Sequence, residues 1–302
     1  MKEKLRILKK LIVFIIILVC LDYLVGSILK KYYFLQQNSD DSRTTFVIND
    51  VTSDILILGS SRATYHYDTP MIEDSLKMSA YNGGRIASQV FYYYGMVQSV
   101  LKRYHPKLIV LDIIPYEFEP SSDSYERLSC LLPYYDGHPE LREICELRGR
   151  FEKYKLLSKI YPYNSKLFFS LKTMFNVKQK TADESKIKGY YPVEKVFKVT
   201  KKYVTPSNEI DSLKLSYFKK ILADCKQANV KLVVCVSPIF IQYASTPKSI
   251  AITKQLCELN KVPFYDYSTS KIFDDEKYYS DYHHLNRLGA TLYTRMVLSH
   301  LK

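Results

Sequence analysis

Residues 54–64 read DILILGSSRAT. An acid opens a short apolar run, Ile55-Leu56-Ile57-Leu58, which breaks at Gly59-Ser60-Ser61. A continuous apolar run of this length, closed by a glycine, is the pattern of a parallel strand covered on both faces. Two hydroxyls directly after it have two readings. Either they cap the next helix, or one of them is a nucleophile.

Further along, the same pattern recurs. Residues 78–82 form a second strand candidate ending at Gly83-Gly84, and 108–114 a third, entered through Pro106. Residues 232–236 close on Ser237-Pro238, and 262–265 make a last short strand. Helices are expected over 87–104, 209–228, 246–260 and 285–301. Such alternation predicts an α/β fold, a three-layer sandwich with a central parallel sheet. In such sheets ligands sit at the carboxyl ends of the strands. Gly59-Ser60-Ser61, Asn82-Gly83-Gly84 and Pro115 all lie just past such ends. Residues 119–208 break the rhythm with prolines, tyrosine clusters and lysine-rich stretches. They read as an insertion that covers the sheet edge or lids the site, with a helical piece at 139–159. No repeat of fixed period is present.

The domain is preceded by LIVFIIILVCLDYLVGSIL, residues 11–29, in which Asp22 is the one charge. That length suits a spanning helix. Lys2, Lys4, Arg6, Lys9 and Lys10 precede it. This bias places the N-terminus inside and everything past residue 30 outside. A cleaved signal peptide is the rival reading, but Gly26-Ser27 runs into Ile-Leu-Lys-Lys, a poor cleavage site. The expected organisation is a cytoplasmic tail at 1–10, a transmembrane helix at 11–29, a polar tether at 30–50 and an extracytoplasmic domain at 51–302.

Composition bounds the partners. With 47% hydrophobic and 25% charged residues the chain is globular, not disordered. Its net charge of +13 comes from dispersed lysines, not from a basic patch beside an aromatic RNA-binding motif. A nucleic-acid partner is therefore not expected. The 28 tyrosines suit sugar stacking or interfaces, or reflect lineage-level codon usage. None of the six cysteines forms a C-x-x-C pair, so zinc and redox motifs have no support. Cys130 and Cys145 could pair outside the cell. The chain has no G-x-G-x-x-G or Walker loop, which argues against a nucleotide-binding protein.

A serine nucleophile needs a base, and the base an orienting partner. The candidates lie in SDYHHLNRLGA, residues 280–290, just before the last helix. Asp281 and His284 stand three apart, a spacing that can return the carboxylate to the imidazole Nδ1. Asp281-Tyr282-His283 is the other register. Read separately, Asp281 is a helix cap and the histidines are surface residues.

Together these blocks resemble the SGNH (GDSL-like) hydrolases over roughly residues 52–302, without the insertion. Gly59-Ser60-Ser61, Asn82-Gly83-Gly84 and Asp281-Tyr282-His283-His284-Leu285-Asn286 look like that family's blocks I, II and V. The resemblance is closest to its membrane-anchored branch, with the teichoic-acid D-alanine transfer protein and the polysaccharide O-acetylation proteins. It implies Ser61 as nucleophile, His284 as base and Asp281 as its orienter. It also implies an oxyanion site at Ser61, Gly84 and Asn82, with Asn82 bracing the loop. Arg62 and Arg85 follow the two loops and could hold an anionic group of the substrate. Tyr65 and His66 are assigned no role. No cofactor and no metal is implied. The implied activity is ester hydrolysis or acyl transfer on an O-acylated, especially O-acetylated, extracellular polysaccharide. The implied partners are the lipid bilayer, the glycan and a membrane-bound O-acyltransferase. One departure stands out. The family's G-x-N-D block supplies an asparagine donor after the third strand, and here the chain reads LIVLDIIPYEFEP. Asp112 reads as structural, because a carboxylate would repel an oxyanion. The alternative is therefore a catalytically weak or inactive glycan-binding scaffold on the same fold.

Overall fold

The computed structural model describes residues 2–37, 39–166, 174, 188–198 and 200–301. Part of the expected insertion, 167–173, 175–187 and 199, lies outside the described residues. The chain divides into two units, Met1–Ser42 with Leu128–Lys180, and Arg43–Arg127 with Thr181–Lys302.

The larger unit is α/β with a central parallel sheet. Its strands are β1 (Ile55–Gly59), β2 (Ala80–Asn82), β3 (Leu108–Asp112), β5 (Lys231–Val236) and β7 (Phe264–Asp266). They run in the order β2-β1-β3-β5-β7, and every pairing is parallel. A separate parallel pair joins β4 (Lys202–Val204) to β6 (Ile241–Tyr243). Every residue of β1 and β3 is buried, as expected of strands covered on both faces. Side chains alternate across the sheet. Ile55, Ile57, Val110, Val233 and Cys235 therefore share one face, where they meet Ala63, Tyr67, Tyr293 and Val297. Those partners come from α3 (Ser61–His66), the residue after it, and α11 (Arg287–Leu301). Leu56, Leu58, Ile109 and Leu111 point to the other face and are equally buried. On that side α5 (Val90–Leu101) contacts β1 and α9 (Ser212–Gln227) contacts β5. Besides these, α4 (Thr69–Leu76) packs on β2 and α10 (Lys248–Asn260) on β7.

The expected tether is a correction. The N-terminal helix α1 runs from Lys2 to Phe34, and α2 covers Asp40–Asn49. Val47 and Ile48 of α2 are fully buried, and Arg103 donates to the carbonyls of Ile48, Val47 and Val51 at 2.7, 2.9 and 3.1 Å. A cation on its last carbonyls stabilises a helix end. The polar start of this stretch, Asp40-Asp41-Ser42, hides an anchoring role that belongs to two apolar side chains and a distant arginine.

In the smaller unit, α1 is long and apolar enough to cross a membrane. The expected helix at 139–159 is instead broken. Short turns at Pro139–Leu141, α7 (Arg142–Glu146) and α8 (Glu152–Lys155) share that stretch, with Gly149 between them. Cys130 and Cys145 are buried free thiols, not a disulfide. Among the described residues, α6 (Ser122–Glu126) also belongs to the larger unit.

Candidate active site

The order of the sheet places its topological switch between β1 and β3, and ligand crevices open at the carboxyl ends of such strands. Ser61 follows β1 and Asp112 ends β3. The β1–α3 turn is tight. A Cβ on Gly59 would stand 2.6 Å from the Asp112 carbonyl oxygen and 2.8 Å from the Ala63 Cβ, so only glycine fits. The two serines then part company. Ser60 is the N-cap of α3, and its Oγ accepts the Arg62 N–H at 3.2 Å. Ser61 is the first helical residue, and its Oγ lies 2.7 Å from Nε2 of His284.

His284 is presented by a closed loop ahead of α11. The Ser280 N–H donates to the His284 carbonyl at 2.9 Å, and the Asn286 side chain ties the loop to the Lys277 carbonyl at 2.7 Å. Within it, Asp281 Oδ1 accepts the N–H groups of His283 and His284 at 2.7 and 3.0 Å. Its Oδ2 lies 2.8 Å from His284 Nδ1. A carboxylate on Nδ1 holds the proton there and leaves Nε2 as acceptor for the Ser61 hydroxyl. Burial would raise the Asp281 carboxyl, but the His284 ring and the two N–H groups pull it down to about 2. It stays ionised at any ordinary pH. The other register is not used for this contact. The His283 ring lines the adjacent cavity, with Nδ1 unpartnered among the described residues. Burial first, then Arg62 and His284, lower the His283 imidazole, so it is neutral near pH 7.

A cavity of about 350 Å³ opens beside Ser61 and His284. Its wall includes Ala87, Ser88, Gln89, Ile114, Tyr116 and, from the start of the expected insertion, Ser121, Ser124 and Arg127. Ala87 has φ +58, left-handed backbone that a non-glycine residue seldom adopts. The other expected residues are placed elsewhere. Asn82 is fully buried and braces the loop, donating to the Ala63 and Tyr67 carbonyls at 2.7 and 3.3 Å. Its Oδ1 accepts the Gly84 N–H at 3.0 Å, and Gly84 packs against Thr64. Neither lines the cavity. Arg85 is buried, donates to Thr44 at 2.8 Å and lies over the Tyr92 ring. It too is away from the cavity. Arg62 does line it, with Nε and Nη2 bonded to Ser237 and Nε 3.9 Å from the Asp112 carboxylate, while Nη1 has no partner among the described residues.

Asp112 is fully buried and accepts from Tyr67 at 2.6 Å and from the Ser237 N–H at 3.1 Å. Burial pushes its carboxyl up, against the pull of Arg62, Tyr67 and Ser237. This places it in the structural role its strand-end position indicated.

Two residues that sequence reading left without a role support His284. The Tyr65 ring stands edge-on to the His284 ring, centroids 5.1 Å apart. His66 is fully buried, and its Nε2 accepts the Leu285 N–H at 2.9 Å while its Nδ1 lies 2.8 Å from Ser237 Oγ. Accepting at Nε2 fixes the proton on Nδ1. Ser237 in turn donates to Asp112 at 3.2 Å. The chain Leu285–His66–Ser237–Asp112 thus ties the histidine loop to the ends of β3 and β5. No signal in sequence marks it, since its members are 171 and 219 residues apart from His66.

No protein-family model and no curated protein matches the chain. Among solved structures, a "putative acylhydrolase" from Bacteroides fragilis is similar at 10% identity and a TM-score of 0.40, over 82% of this chain and 86% of that one.

Proposed function

We propose that this chain is a membrane-anchored serine acyl esterase or O-acyltransferase of the SGNH type, acting on O-acylated extracellular or cell-wall polysaccharide. The observation that carries the reading is the unbroken run Ser61 Oγ, His284 Nε2, His284 Nδ1, Asp281 at 2.7 and 2.8 Å beside a cavity. In this reading Ser61 Oγ attacks the acyl carbonyl while His284 takes its proton. The tetrahedral intermediate collapses, and His284 gives that proton to the departing sugar oxygen. Water or a second sugar hydroxyl, deprotonated by His284, then attacks the acyl carbon, and His284 returns that proton to Ser61 Oγ as the ester bond to the serine breaks.

Negative charge on the former carbonyl oxygen needs donors. The Ser61 N–H stands at the start of α3, where a helix leaves its first N–H groups without intrahelical acceptors. Gln89 replaces the missing asparagine. Its Oε1 accepts Nζ of the buried Lys214 at 2.8 Å, which turns the amide NH₂ away from the lysine, in a residue that lines the cavity. The polysaccharide substrate, the bilayer and a membrane-bound acyltransferase partner rest on the sequence resemblance and on the apolar α1. An anchor suits a protein that receives acyl groups at a membrane.

A second reading, a scaffold that binds glycan with little or no turnover, is favoured by one observation. The Gly84 N–H is already spent on Asn82. The test is labelling of the full chain by a fluorophosphonate probe and acetate release from p-nitrophenyl acetate. Both should vanish in Ser61→Ala and His284→Ala and persist in Ser60→Ala. A wild-type chain that neither labels nor turns over would leave the scaffold.

A further inference from the structure

A charged residue inside an apolar span is costly unless it is matched. Asp22 is matched from within its own unit. Its carboxylate accepts the Ser158 hydroxyl and the N–H groups of Lys159 and Ile160, at 2.5, 2.6 and 3.4 Å. One turn further on, a Cβ on Gly26 would meet the Lys159 backbone at 2.5 Å, so helix and loop touch backbone to backbone. Gly26, Leu29 and Tyr33 continue the same buried stripe of α1.

This contact fixes a depth. At 1.5 Å per residue the apolar stretch 11–29 is about 28 Å long, close to the hydrocarbon thickness of a bilayer. Asp22 lies seven residues before Leu29, about 10 Å inside the apolar end. The loop held by Asp22 therefore cannot stand clear of a membrane that α1 spans. The segment just before that loop has the surface such a position demands. Phe151, Tyr154 and Leu157, each three apart, are 60%, 68% and 75% exposed. The backbone behind them is closed on itself, with Lys155 and Leu156 bonded to Phe151 and Glu152, and Leu157 and Ser158 to Tyr154 and Lys155, at 3.0 to 3.2 Å. Unbonded backbone is what lipid does not tolerate. Around these side chains stand Arg148, Arg150, Lys153, Lys155 and Lys159. Two acids meet them, Glu152, buried against Arg148 and Lys155, and Asp136, which pairs with Lys159 at 2.7 Å, so three positive charges are left over. Aromatic rings flanked by basic residues are the composition of a membrane interface, and the positive excess favours anionic headgroups.

We propose that residues 151–157 form a second membrane contact, seated in the interfacial region of the leaflet that receives the carboxyl-terminal half of α1. The inference rests on reading α1 as a membrane span.

The chain contains no tryptophan, so one substitution supplies a single fluorescent probe. Phe151→Trp, Leu157→Trp, Phe14→Trp within the apolar span, and Leu259→Trp on exposed α10 as reference, are each made in the full chain. They are reconstituted in vesicles of phosphatidylcholine and phosphatidylglycerol. Emission of the Phe151→Trp and Leu157→Trp chains should be blue-shifted from the reference and quenched by lipids brominated near the headgroup end of the acyl chain. Phe14→Trp should be quenched by bromine deeper in the chain. Quenching of Phe14→Trp with reference-like emission at 151 and 157 overturns the second contact and leaves the anchor standing. A Phe14→Trp chain that is not quenched removes the anchor, and the second contact with it.

Discussion

At the scale of single residues, the two serines of Gly59-Ser60-Ser61 separate by one position in a helix. Ser60 satisfies a free N–H at the start of α3, and Ser61 faces the imidazole. Replacing Ser60 with alanine should cost about 1 kcal/mol of stability, the usual loss for a cap, with turnover kept. Ser61→Ala or His284→Ala should lower kcat by about 10⁴-fold or more on p-nitrophenyl acetate, with the fold intact by circular dichroism. Gln89 gives a finer test of the oxyanion assignment. Gln89→Ala should lower kcat by about 10²–10³-fold while KM changes little, as for loss of one oxyanion donor. Unchanged kcat in that variant would remove Gln89 from the site.

Among the elements, α3 and the loop before α11 are held together by buried polar contacts. Asp112→Asn leaves the buried Arg62 without its counter-charge, and chemical denaturation should show a loss of about 3–5 kcal/mol. His66 adds a pH dependence. Burial, then Arg62 and His284, hold its imidazole well below the ordinary 6.5, so the folded protein keeps it neutral. The unfolded chain takes up a proton below pH 6.5 and the folded one resists. This contribution to stability is therefore complete above 6.5 and declines as pH falls beneath it. Melting temperatures of His66→Gln between pH 8 and 5 should fall less steeply than those of the wild type. A slope equal to the wild type's would assign the acid sensitivity elsewhere, His283 being the next group.

For the whole molecule, the opposite sign appears at Glu117. Burial pushes this carboxyl up to about 7, although the Ile114 and Val90 N–H groups and Lys214 favour its charge. The folded state holds a proton that the unfolded chain releases above its ordinary 4.5. Its contribution is full below 4.5 and is lost as pH rises through 7. Glu117→Gln should flatten stability between those limits, measured by denaturant titration at successive pH values. Topology is checked with an impermeant maleimide. Among the described residues Cys20 is the exposed cysteine, and the other five are buried. Lys2→Cys should react only after the membrane is opened, and Leu259→Cys without that step. Reaction of both from the same side would overturn the single-pass orientation.

What the sequence determined by itself was the place of each strand of the main sheet and of the longer helices that follow them, because strands covered on both faces, such as β1 and β3, are short apolar runs. Ser61, Asp281 and His284 could be picked out as candidates, since each stands at a break in the strand and helix pattern, and the fold brings them into contact. Tertiary structure alone decided which groups around them are spent. Gly84 and Asn82 bond each other, Arg85 turns to Thr44, and Arg62 turns to Ser237 and Asp112. Apart from the Gly84–Asn82 bond, those outcomes depend on hydrogen-bond partners far away in the chain, as do the contacts of His66 and Gln89. The helical tether and the loop that meets Asp22 were hidden for the same reason. Their stability comes from surfaces buried against distant residues, and a local pattern of side chains carries no record of them.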